Sequence, residues 1–143
     1  MKRKTAKNQK KRKPFQPDTP EDLLRRDWAG DCYRAAYSWA SALKEQGWTV
    51  VHGIVLNAQV GQLKHAWCER GEAVIDLAMP VGMREFTREE YYRVLEPKVT
   101  KRYSAQHAVL LFLRNRHYGP WERSEQLPKS LIAEIGKEKL RLA

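Results

Sequence analysis

Apolar residues along this chain alternate between a period of three to four and a period of two, and the switches mark out its elements. In "PDTPEDLLRRDW", Thr19 followed by Pro20, Glu21 and Asp22 predicts a helix start, with a cap, a proline in the first turn and acids suited to the dipole. "WAGD" at 28–31 ends that helix. Cys32, Ala36, Trp39 and Leu43 then recur at helical spacing with Ala35 and Ala40 beside them, which predicts a second helix with a small-residue face, closed by Gly47. "WTVVHGIVLN" (48–57), "LKHAWCE" (63–69) and "AVIDLAM" (73–79) read as strands joined by turns at Gly61 and Gly71. Connections this short predict an antiparallel meander. Thr87 with Glu90 three residues on is a capping box for a helix with a Tyr91, Val94, Leu95 face. Ser104 is the predicted cap of "AQHAVLLFLRN", "HYGPW" (117–121) is a turn, and "PKSLIAEIGKEKLRLA" (128–143) is a terminal helix opened by Pro128. Helix, then sheet, then helices predicts an α+β fold: a small antiparallel sheet packed against an N-terminal helix, with further helices C-terminal.

Composition adds a boundary. With 143 residues and 42% hydrophobic content, the chain is large enough for one domain, placed at residues 18–143. The formal net charge of +10 is concentrated at the start, where Lys2, Arg3, Lys4, Lys7, Lys10, Lys11, Arg12 and Lys13 stand without an acid among them. Removing those eight leaves 19 basic against 17 acidic residues, so the rest is nearly neutral. Residues 1–17 lack apolar periodicity and are expected to form a disordered basic tail. Such a tail can dock on nucleic acid or another acidic partner, or simply keep the protein solvated. No aromatic is interleaved among its charges to stack on bases. No apolar run approaches the roughly 20 residues of a membrane span, and none follows the basic start as a secretory signal requires. Two cysteines, Cys32 and Cys68, are too few for a disulfide framework, so a reducing, cytoplasmic setting is expected.

The candidate chemistry lies where the second helix meets the sheet. Strand alternation puts His65, Trp67 and Glu69 on one face and Ala66 and Cys68 on the other. One strand over, Val74 and Asp76 share a face, which allows His65 and Asp76 to meet. Cys32 opens the helix expected to pack on this sheet. A thiol near pKa 8.5 is mostly protonated at neutral pH, and a helix N-terminus and an imidazole both favour the nucleophilic thiolate. The histidine would move the proton, the aspartate would orient its ring, and the Cys32 backbone N–H would face a developing oxyanion. Asp31, just before the thiol, opposes this unless its carboxylate is spent as the helix cap. A zinc site from Cys32, His65, Cys68 and Asp76 is disfavoured, because His65 and Cys68 face opposite sides and no CxxC pair exists. Neither a metal nor a phosphate-binding glycine loop is expected, so no cofactor is assigned. His52 shares the parity of Val50, Ile54 and Leu56 and reads as a packed histidine.

A cysteine opening a helix, then "HAW" on a strand and "VID" on the next, resembles the transglutaminase-like branch of the papain-like superfamily. That branch includes protein cross-linking enzymes, arylamine acetyltransferases and leader peptidases of peptide natural-product pathways. The resemblance covers about residues 28–80 and implies a Cys32–His65–Asp76 triad acting through an acyl-enzyme on a peptide, protein or small amide. It also implies Trp28 as a candidate oxyanion donor; Trp67, two residues from His65 and on the same face, reads either as a wall of the pocket or as a core tryptophan. "LLRRDWAGDC" lacks the glutamine that papain-like proteases place before the nucleophile. The alternative is a non-enzymatic binding protein of the same fold that docks through its tail.

Overall fold

A computed structural model describes residues 18–57 and 61–121. The basic tail with its eight cations, residues 58–60 of the first hairpin turn and the expected 128–143 helix lie outside the described residues. Among the described residues the architecture is α+β, with four α-helices and a five-stranded antiparallel sheet.

Helix α1 (Pro20–Arg25) starts at Thr19, whose hydroxyl accepts the Asp22 N–H while the Asp22 carboxylate accepts the Thr19 N–H. Helix α2 (Cys32–Ala42) runs into a 3-10 turn (Lys44–Gln46) closed by Gly47 at φ +79°, where a side chain would be strained. Strand β1 (Thr49–Asn57) pairs with β2 (Gly61–Arg70), and β2 pairs with β3 (Ala73–Ile75), as the meander requires. Strand β4 (Glu85–Thr87) then leads directly into α3 (Arg88–Leu95) through the Thr87–Glu90 capping box. Strand β5 (Lys98–Ser104) returns to the far side of β1, and Ser104 caps α4 (Ala105–Asn115) by accepting the His107 N–H. The sheet order is β4-β3-β2-β1-β5.

The third strand is shorter than the expected 73–79, and the reason is local. Asp76 gives its backbone N–H to the Arg84 carbonyl and accepts the Ala78 N–H on Oδ1, which turns the chain out of the ladder. A loop therefore runs from Asp76 to Arg84, pinned at its base. Arg84 is buried and donates to the carbonyls of Met79, Leu23 and Leu24, tying the loop to the end of α1.

The sheet carries a layer on each face. Helix α2 lays Ala35, Ala36, Trp39 and Ala40 on the face of Val50, Ala66, Cys68 and Ile75, with α4 beside it. The alanines permit a close approach, and the Cys68 thiol reaches the Ala36 carbonyl at 3.1 Å. On the opposite face, Tyr91 from α3 packs with Val51, Val55, Trp67 and Val74. Gly53 in β1 makes that packing possible, since a Cβ there would run into the Lys98 carbonyl and stand 2.9 Å from Cη2 of Trp67. Among the described residues no helix is long and apolar enough to cross a membrane.

Candidate active site

Strand β3 covers only Cys68–Arg70 of β2, so His65 lies on a stretch of β2 with no strand on that side among the described residues. Helix α2 brings Cys32, its first residue and only partly buried, to this gap. There the thiol interacts with the His65 imidazole by hydrogen bond and by charge. His65 Nε2 stands 2.7 Å from Asp76 Oδ2. The imidazole is buried and stacks on Trp67, with centroids 6.1 Å apart and ring planes inclined by 25°. The three side chains singled out from the sequence, Cys32, His65 and Asp76, thus meet around one ring.

The electrostatics favour charge separation. Burial alone would lower the His65 pKa, but its hydrogen bonds to Asp76 and Cys32, with their charges, outweigh it and raise the pKa to about 10. The ring therefore holds its proton at neutral pH, so the thiol faces an imidazolium. Asp76 has no exposed surface, and both of its oxygens are occupied: Oδ1 by the Ala78 N–H, Oδ2 by His65 and by the Tyr91 hydroxyl at 2.7 Å.

Asp31 occupies the cap position of α2, yet its carboxylate makes no capping bond and stands 3.6 Å from the Arg34 guanidinium. The expected cap is thus absent, because the Asp31 backbone (φ −128°, ψ 43°) is not in the extended conformation of a capping residue. The charge that would oppose a thiolate is paired outward with Arg34.

The two tryptophans serve differently from the oxyanion role. The Trp28 indole N–H donates to the Leu23 carbonyl at 2.8 Å, and the ring lies under the Arg26 and Arg34 guanidinium groups. Its donor is committed to α1, which corrects the expectation that it faces an oxyanion. The Trp67 N–H is likewise taken, by Glu69 at 2.8 Å, so Trp67 contributes a ring wall against His65. The backbone N–H of Cys32 remains as the candidate donor from the sequence. Cys68 lies on the other face, where burial pushes its thiol well above the ordinary range. His52 is buried and stacks on Trp121. Among the described residues no group of three or more His, Cys, Asp or Glu side chains could hold a metal ion.

Two residues of this region were not anticipated from the sequence. Glu69 is buried, and burial opposes its charge. Hydrogen bonds from Tyr92, Trp67 and Arg102, with the charge of Arg88, outweigh that and hold the carboxyl below its usual range. Tyr91 was counted as part of an apolar helix face, and its hydroxyl ends on Asp76. The available signal was its type: a tyrosine on a buried face carries a polar group that must find a partner.

Fold and site together define an α+β protein in which a helix-opening thiol adjoins a buried imidazole–carboxylate pair. Comparison of the chain with protein-family models, with curated proteins and with solved structures finds no match.

Proposed function

We propose that the protein is a thiol enzyme of transglutaminase-like or papain-like type that transfers an acyl group from an amide or peptide through a Cys32 thioester. The observation that carries the reading is the imidazole of His65 beside the Cys32 thiol and 2.7 Å from the buried Asp76 carboxylate, an arrangement that raises its pKa. In the first half-reaction the Cys32 thiolate attacks the carbonyl carbon, and the carbonyl π electrons move to oxygen. The tetrahedral adduct collapses, the C–N bond breaks, and the leaving amine takes the proton from His65. Water or an amine then attacks the thioester and gives its proton to His65, and the thiolate departs. Asp76 keeps the ring oriented and compensates its charge throughout. The Trp67 ring closes one side of the imidazole and excludes water from it.

The test is the rate of iodoacetamide alkylation at Cys32 against pH, with mass-spectrometric site assignment and Cys68 as an internal reference. Cys32 should label well below pH 8 while Cys68 stays protected. In His65→Ala, labelling of Cys32 at pH 6 should fall on the order of a hundredfold, as its thiolate fraction reverts to that of an ordinary thiol. Labelling of Cys32 only in the range of an ordinary thiol, with or without His65, would sink the proposal and leave the basic tail as the functional feature of a binding protein.

A further inference from the structure

We propose that Tyr91 is a positioning residue of this site, holding the Asp76 carboxylate for His65 through the hydrogen bond from its hydroxyl. The inference rests on the triad reading and extends it to α3, an element that contributes none of the three triad side chains.

Asp76 is fully buried, so protein donors alone orient it. Oδ1 is fixed from within its own turn by the Ala78 N–H. Oδ2, the oxygen that faces the imidazole, is shared between His65 and Tyr91, each at 2.7 Å. Without Tyr91, His65 would be the only donor left on that oxygen among the described residues. The Tyr91 ring cannot swing aside, because it is fully buried between Trp67 (centroids 5.4 Å apart) and Phe86 (5.3 Å). Burial and the neighbouring Asp76 charge push its phenol far above the usual range, so it stays a donor at every working pH.

Two donors on one oxygen divide its charge. The bond from Tyr91 limits how strongly Asp76 stabilises the imidazolium and keeps His65 acidic enough to release its proton to a leaving group. The other titratable groups around the pair are accounted for. Cys32 faces the ring from α2, and Cys68 on β2 is neutral. Glu69 on β2 is paired with Arg88 of α3 and Arg102 of β5. Arg84 holds Asp76 through its backbone, while its guanidinium turns to the carbonyls of Met79 and Leu24.

The experiment follows the His65 imidazole by NMR titration in the full chain. In Tyr91→Phe the His65 titration should move up by roughly one pH unit. Placing 3-fluorotyrosine at position 91, a stronger donor of nearly the same shape, should move it down. Tyr92→Phe removes a hydroxyl from the same helix, but one that serves Glu69 (2.6 Å), and should leave it in place. An unmoved His65 in a folded Tyr91→Phe, or an equal shift in Tyr92→Phe, overturns the proposal. If Tyr91→Phe does not fold, the fluorotyrosine arm decides: a downward shift supports the proposal and no shift overturns it. Alkylation of Cys32 in the same samples separates the two readings. A moved His65 beside an unreactive Cys32 counts against the enzyme reading alone, and a reactive Cys32 beside an unmoved His65 counts against Tyr91 alone.

Discussion

The α2 face of the sheet is closed by apolar packing, with Ala35, Ala36, Ala40 and Ala66 at the helix–sheet contact and Trp39, Trp48 and Trp121 around them, and the thiol it contains, Cys68, is sealed against a backbone carbonyl. The α3 face holds both buried carboxylates of the described residues, Asp76 and Glu69, each gripped by one of two consecutive tyrosines. One face is held by close packing, the other by directed hydrogen bonds around charge. The two cysteines show the consequence. Cys68 inside the packed face is driven away from ionisation, whereas Cys32 reaches past the end of β3 to the charged side. The layer a thiol reaches thus decides whether it meets apolar packing or charge.

The largest expected effect comes from removing Glu69. Glu69→Ala strips the acceptor from Trp67, Tyr92, Arg88 and Arg102 together. Because both arginines can turn to solvent, the cost should be about 3 kcal/mol, read by denaturant unfolding. Cys68→Ala on the other face should cost only about 1 kcal/mol, the loss of a small buried group. Equal costs would erase the contrast between the faces.

The pH dependence of stability should also belong to the α3 face. The folded-state pKa of His65 lies above its unfolded value, so its contribution is fully present below pH 6.5 and declines as pH rises towards about 10. Glu69 has a lowered pKa, so its contribution is present above pH 4.5 and is lost as pH falls through the folded value. Unfolding free energy against pH should therefore fall on both sides, and His65→Ala should flatten the alkaline side only. Gly53→Ala should cost about 1–3 kcal/mol, since the new methyl forces the Lys98 carbonyl and the Trp67 ring to give way. Its value is directional: near-UV circular dichroism should report a displaced Trp67, and a spectrum identical to the wild type would show that the Trp67 seat is loose.

What could be read from the sequence was local. The caps at Thr19, Thr87 and Ser104 were legible because capping uses residues within one turn. The contact of His65 with Asp76 was accessible from strand parity and a two-residue turn. Strand β5 was not anticipated, because Lys98, Lys101 and Arg102 break its alternation and only Tyr103 is fully buried, as suits an edge strand. Strand β4 is three residues long and carries almost no periodic signal. Tyr91 and the fate of the Trp28 N–H were hidden for another reason. Each depends on which backbone or carboxylate a side chain meets after the layers have packed, and no spacing along the chain encodes that.

Helix α3 is only eight residues long, and its N-terminus is held by a capping box, by the Arg88 N–H on the Glu72 carbonyl and by the Arg88–Glu69 ion pair. Short peripheral helices open at a fraction of the cost of global unfolding. Each such opening withdraws the Tyr91 hydroxyl from Asp76 while β1 and β2 remain paired. Under the proposed role of Tyr91, the site would have a duty cycle set by the fraying of a helix that contributes none of Cys32, His65 and Asp76, and amide exchange in residues 91–95 is the clock on which that cycle can be timed.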